Sequence, residues 1–172
     1  MNLVINLEVG HCDTAEAKKY MAETVKKYSE PITELKKTVF ISGSSKLKKL
    51  TDKMKACLDE IIAGGYNVIV GDCYGADIMA QEYLKDKGYT RVIVYTSTET
   101  PRHCVFPAYM SCWKESNGRS GEEFYQVKDK AMCDACDAAV AFWNGASYGV
   151  KCNIGRIRAT GKPIKVILDT DI

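Results

Sequence analysis

The hydrophobic pattern changes character near residue 38. Before it, Asn2 to Val9 alternates, with Leu3, Ile5 and Leu7 on one face, which predicts a short edge strand. A helix is expected next: Asp13 and Glu16 have capping-box spacing, and Ala17, Tyr20, Met21, Thr24, Val25 and Tyr28 recur at helical period until Pro31. From Thr38 onward, short apolar runs alternate with amphipathic stretches. Thr38–Ser42 reads as a buried strand ending in Gly43-Ser44-Ser45. Leu47, Leu50, Met54, Leu58, Ile61 and Ile62 then mark a helix stopped by Gly64-Gly65. Asn67–Val70 is the second strand, and the helix after it carries Ile78, Met79, Tyr83 and Leu84 and runs to Gly88. Arg91–Tyr95 is the third strand. Thr96 to Ser120 is irregular and longer than typical connections. Ser120 and Glu123 cap a helix running to about Cys136, Ala138–Trp143 is the fourth strand, a last helix ends at Gly161, and Pro163–Leu168 is the final strand.

Apolar strands alternating with helices imply βαβ crossovers and a parallel sheet covered on both faces. The expected fold is α/β, a Rossmann-like three-layer sandwich whose mostly parallel five-stranded sheet has the order 3-2-1-4-5, counted from Thr38. Residues 1–37 form a strand-helix extension to a nucleotide-binding domain at 38–172. The Tyr20, Met21, Val25 and Tyr28 stripe needs a surface to cover, either its own sheet or a partner copy, and a homodimer or higher oligomer is the expectation.

Composition narrows the class. Of 172 residues, 46% are hydrophobic and 27% charged, which excludes a disordered chain or a simple coiled coil. Lys+Arg is 24 against Asp+Glu 22, a formal charge of +2, and the five arginines are scattered, so a dedicated nucleic-acid binder is not expected. No apolar run approaches the ~20 residues of a membrane span, so no membrane partner is expected. The amino terminus lacks the basic start and apolar core of a signal peptide. Eight cysteines without an export signal point to free thiols and the cytoplasm.

In open α/β sheets, ligands bind beyond the carboxyl ends of the strands where strand order reverses. Three strand ends here carry small polar clusters. Gly43, Ser44 and Ser45 lead toward a helix, whose free amides would hold phosphate, with Lys46 in reach. Gly71 and Gly75 allow close backbone approach beside Asp72 and Ala76, and Asp77 is placed to cap a helix or bind a ribose hydroxyl. Asn144, Gly145, Ser147 and Gly149 form the expected facing wall. Tyr74, Trp143 and Tyr148 are placed to stack on a base. No cofactor or metal is expected. Cys133 and Cys136 make a CxxC, but with His103, Cys104 and Cys112 the zinc-ligand spacing is irregular, so thiols on a packed helix face are the reading. His11 and His103 read as exposed loop residues, and the Lys46, Lys48, Lys49, Lys53 and Lys55 run as a solvated helix face.

Phe40-Ile-Ser-Gly-Ser44, Gly71-Asp-Cys-Tyr-Gly-Ala-Asp77 and Phe142-Trp-Asn-Gly-Ala-Ser-Tyr-Gly149, with the tail Gly161-Lys-Pro163, resemble the SLOG superfamily. This Rossmann-like group includes DNA-processing protein A and the LOG-type phosphoribohydrolases, and its small stand-alone members look most similar. The likeness covers about Thr38 to Leu168 and implies a nucleotide or nucleotide-derived ligand at these loops. LOG-type enzymes and nucleoside deoxyribosyltransferases act through a Glu. The corresponding stretch here, Gly149-Val-Lys-Cys-Asn-Ile-Gly155, has Asn153 in that place, and an amide is neither nucleophile nor general acid. Binding or sensing is therefore expected ahead of N-glycosidic hydrolysis or transfer. The latter would require a substitute carboxylate from Asp72, Asp77 or Asp129.

Overall fold

The computed structural model describes Lys19 and residues 36–169. Compact units divide the chain at Met1–Leu35 and Lys36–Ile172. The expected strand at Asn2–Val9, the Tyr20–Tyr28 stripe with the oligomer inferred from it, and His11 lie outside the described residues.

The second unit runs β1 (Thr38–Gly43), α1 (Asp52–Ala63), β2 (Asn67–Gly71), α2 (Ala76–Asp86), β3 (Val92–Thr96), a 3-10 turn (Ala108–Met110), β4 (Ser111–Trp113), α3 (Gly121–Ala135), β5 (Ala138–Trp143), α4 (Tyr148–Ala159) and β6 (Ile164–Leu168). Six strands pair in the order β4-β3-β2-β1-β5-β6. Every pairing is parallel. The expected five-stranded core is present in its expected order, and β4 adds a sixth strand at the β3 edge. It comes from the stretch read as irregular, where Ser111–Trp113 pairs with Val94–Thr96. Three residues are too few to show an alternation.

Two more local expectations are corrected. The helix after the first strand does not begin beside Ser45; a turn follows β1, and α1 starts at Asp52 with Thr51 Oγ1 accepting from the Met54 amide. Leu47 is buried all the same, because its amide bonds back to the Ser44 carbonyl and folds the connection inward. Ser120 stands at the start of α3, but its hydroxyl makes no capping hydrogen bond.

Alternate strand residues enter opposite layers. Val39, Ile41, Val68, Val70 and Val94 pack with Met54, Leu58, Ala80 and Leu84 of α1 and α2. Phe40, Ile69 and Tyr95 pack with Met132, Cys133 and Ile157 of α3 and α4. Cys133 and Cys136 are buried free thiols in this second layer, and burial pushes the Cys133 thiol up to about 12. Among the described residues, no group of His, Cys, Asp or Glu is placed to hold a metal ion, and no helix is long and apolar enough to cross a membrane.

Candidate functional site

Strand order reverses between β1 and β5, and both strands end in polar loops that bond to each other. The Ser44 hydroxyl donates to Asn144 Oδ1 at 2.9 Å and accepts from the Asn144 amide at 3.1 Å, across 100 residues of sequence. Asn144 Oδ1 also accepts from the amides of Ala146 (3.1 Å) and Ser147 (2.9 Å), so this side chain organises the entry to α4. Gly145 provides the left-handed turn between them at φ +78°. The two loops enclose a cleft of ≈ 270 Å³ between Ser44, Ser45 and Lys46 on one side and Asn144, Ser147 and Tyr148 on the other. Tyr148 is 60% exposed at its mouth. A Cβ on Gly149 would meet open space. The Ser44 amide is occupied, donating to the Phe142 carbonyl at 2.9 Å.

The β2 loop backs this cleft. The Ala76 amide donates to the Ser44 carbonyl at 3.1 Å, and Gly75, at φ +72°, lies so close that a Cβ would stand 2.5 Å from the carbonyl oxygens of both Ser44 and Ser45. A Cβ on Gly43 would fall 2.1 Å from the Ala76 methyl, so that glycine serves helix packing. Asp77 does not cap α2; its Oδ2 reaches back to accept from the Cys73 amide at 3.2 Å.

Beside this lies a charged cluster that the sequence reading resolved only in part. Asp72 is fully buried and accepts from Thr96 Oγ1 (3.0 Å), the Arg102 amide (3.1 Å), Arg102 Nε (3.3 Å) and Arg102 Nη2 (2.8 Å). Burial raises the Asp72 carboxyl, but the Arg102 hydrogen bonds and the Lys128 charge outweigh it and hold it below the usual range. The Arg102 guanidinium also rests on the Tyr125 ring, 4.7 Å from its centroid. Lys128 of α3, 2% exposed, stands 3.1 Å from Asp129 Oδ1 and 3.9 Å from Asp72 Oδ1. Its burial opposes the charge, yet Asp129, Asp77 and Asp72 together raise its pKa, so it is a permanent cation. Asp77, also buried, is pushed up to about 7, by burial first and by Asp129 and Asp72 next, against Lys128 and the Cys73 amide.

Asn153 of α4 completes the group, donating to Ser42 Oγ and to Asp129 Oδ2 at 3.2 Å each, while Arg156 Nη1 donates to its Oδ1 at 2.9 Å. Of the predicted residues, Ser44, Ser45, Asn144 and Ser147 line the cleft; Gly43, Gly75 and Ala76 pack the β1 and β2 loops together behind it, and Gly145 and Gly149 belong to the β5 loop and the start of α4 without lining it. The structure draws Gly71, Asp72 and Asp77 into the adjoining cluster. Arg102, Lys128 and Asn153 are the members that patterning missed as a set. Lys128 had a signal: it falls four residues before Met132 on the apolar stripe of α3, where a lone lysine is out of place. A larger concavity, ≈ 1070 Å³, runs along β3 past Tyr89, Ile93, Phe106 and Met110, away from these loops. Its lining is mostly apolar, and the smaller cleft is the one that gathers polar groups at the switch point.

Together, the parallel order, the reversal at β1/β5 and the polar loops at that reversal define an open, doubly wound α/β protein of Rossmann-like form. Among solved structures, the chain is similar to DNA processing protein A from Helicobacter pylori, whose single-stranded DNA binding mode has been analysed structurally. The match has a TM-score of 0.53 and 16% identity, covering 75% of this chain and 64% of that one. At that identity the likeness concerns the fold, and this chain spans less than two thirds of that protein. No protein-family model and no curated protein sequence matches the chain.

Proposed function

We propose that this protein binds a nucleotide or nucleotide-derived small molecule in the cleft between the β1 and β5 loops, as a binding or sensing domain of the SLOG type. The observation behind this reading is the ≈ 270 Å³ cleft itself, at the point where strand order reverses, with Lys46 for an anion and Tyr148 for a ring. The sequence likeness to small stand-alone SLOG members points the same way. A thermal-shift screen against nucleosides, nucleotides, nucleotide sugars and NAD-derived compounds tests it. A ligand at about 100 times its Kd stabilises by roughly 2.7 kcal/mol, or about 5–10 °C here. Lys46→Ala removes an exposed side chain that lines the cleft, leaves the fold intact and is expected to lower affinity at least tenfold. Undiminished affinity in the folded variant would move the site elsewhere, and an oligodeoxynucleotide that outperforms every small ligand would replace the proposed partner.

A second reading has one observation in its favour. Asn153, which stands where related enzymes carry Glu, is hydrogen-bonded to Asp129, whose carboxyl is 20% exposed. A carboxylate there is chemically suited to act as nucleophile or base on an N-glycosidic bond. If so, purified protein releases free base from a nucleoside or nucleotide, and Asp129→Asn lowers that rate by at least 10²-fold. No release from any member of the same panel removes this reading and leaves the first.

A further inference from the structure

The cluster behind the cleft holds three carboxyls, Asp72, Asp77 and Asp129, in contact with two cations, Lys128 and Arg102, while Arg156 reaches it only through Asn153. Arg102 is committed to Asp72. Lys128 Nζ sits on Asp129 at 3.1 Å, and Asn153 holds the other Asp129 oxygen. Asp77 is left with a single hydrogen bond, from the Cys73 amide, in a site that excludes water. One carboxyl in the group is therefore in excess, and Asp77 is the one least compensated.

The backbone gives that imbalance a mechanical outlet. The turn Cys73–Ala76 is held at its start by Asp77 Oδ2 on the Cys73 amide and carries the β1 loop at its end, where the Ala76 amide bonds the Ser44 carbonyl and Gly75 abuts Ser44 and Ser45. A Cβ on Gly71 would lie 2.3 Å from Asp77 Oδ2 and 2.8 Å from Lys128 Nζ, so carboxyl and ammonium press on the same strand end. We propose that the Asp77 carboxyl is a proton-operated latch on the β1 wall of the cleft. Protonated, it sits uncharged in the buried site and keeps its place at the Cys73 amide. Ionised, it is cut off from water and repelled by Asp129 and Asp72 by more than Lys128 compensates, and it releases the turn together with Ser44 and Ser45. The groups that face Asp77 are Lys128 and Asp129 from α3, and Asp72 and the Cys73 thiol from the β2 end. Arg102 lies behind Asp72, and His103 rests on the Tyr74 ring in the same turn at 4.1 Å. The Asp77 carboxyl, raised to about 7, places the transition near neutral pH. The latch stands without a ligand; only its use in gating the cleft rests on the function proposed above.

Isotope-labelled full-length protein titrated by NMR from pH 5 to 9 tests the latch directly. The Asp77 carboxyl carbon and the amides of Cys73, Ala76, Ser44 and Ser45 are expected to shift with one common midpoint near neutral. In Asp77→Asn, the amide transition is expected to vanish, while in His103→Gln, which removes the ring stacked on Tyr74 of the same turn, it persists. The proposal is overturned if the wild-type Asp77 carboxyl stays ionised at pH 5, if Ser44 and Ser45 do not follow Cys73, or if His103→Gln abolishes the transition. The wild-type carboxyl signal decides the matter even if Asp77→Asn fails to fold. A protein that binds no nucleotide yet shows the common midpoint retains the latch and loses the binding function.

Discussion

The two halves of the sheet's carboxyl edge are built on opposite electrostatic plans. At β1 and β5 the groups are neutral: Ser44 and Asn144 exchange two hydrogen bonds, Asn144 ties down the α4 entry, and a cleft stays open beside them. At β2 and β3 the groups are charged, with Asp72, Asp77 and Lys128 buried and Arg102 and Asp129 partly exposed at the margin of the cluster. A neutral framework can be left half-solvated because each group loses little when water replaces its partner. A buried charged one cannot, because removing one member strands the others in a poorly solvating interior. The open half is thus suited to exchange partners and the closed half to hold it in shape.

Lys128→Met cuts deepest into that contrast. It keeps the length of the side chain, removes the cation shared by Asp72, Asp77 and Asp129, and is expected to cost about 3–5 kcal/mol in urea unfolding at pH 7.5. Pairing it with Asp77→Asn should recover part of the loss, as expected for coupled neighbours.

Asp77→Asn alone isolates the pH term. The folded-state pKa of Asp77, about 7, lies above an ordinary carboxyl near 3.8, so the folded protein binds this proton more tightly than the unfolded chain. The resulting stability is full below about pH 4 and is lost as pH rises toward and through 7. Wild-type stability is expected to decline across that interval by a few kcal/mol through this group, and the decline should flatten in Asp77→Asn. Unfolding midpoints at pH 5, 6, 7 and 8 read it out, and parallel curves for the two proteins would contradict it.

Asn144→Ala probes the neutral half and should cost the least, about 1–2 kcal/mol, from the lost α4 entry bonds and the Ser44 partner. Its pH dependence should match the wild type, which separates the two plans in one calorimetric series.

The parallel core was legible because each buried strand is a short apolar run between turn residues, and those runs lie where the structure has β1, β2, β3, β5 and β6. β4 was not legible, since Ser111-Cys-Trp113 has no alternation and is a strand only through its pairing with β3. The polar loops were legible as loops, yet what their side chains do depends on residues far off in sequence: Asn144 on Ser44 across 100 residues, Asp72 on Arg102 across 30, Asp129 on Asn153 across 24. Asp77 looked like a cap because it is an aspartate at a helix start. The nearby amide of Cys73 and the buried ammonium of Lys128 decided otherwise.

The contact between Gly43 and Ala76 has a consequence for anyone rebuilding this chain. With 2.1 Å between the Ala76 methyl and the place a Cβ on Gly43 would take, the two positions share room for one methyl group. Side-chain volume there is a joint property of strand and helix: Gly43→Ala becomes sterically admissible only when Ala76→Gly gives up the same carbon. A redesign that moves the methyl from helix to strand conserves the packing of β1 against α2 and leaves the helix start more flexible by one glycine.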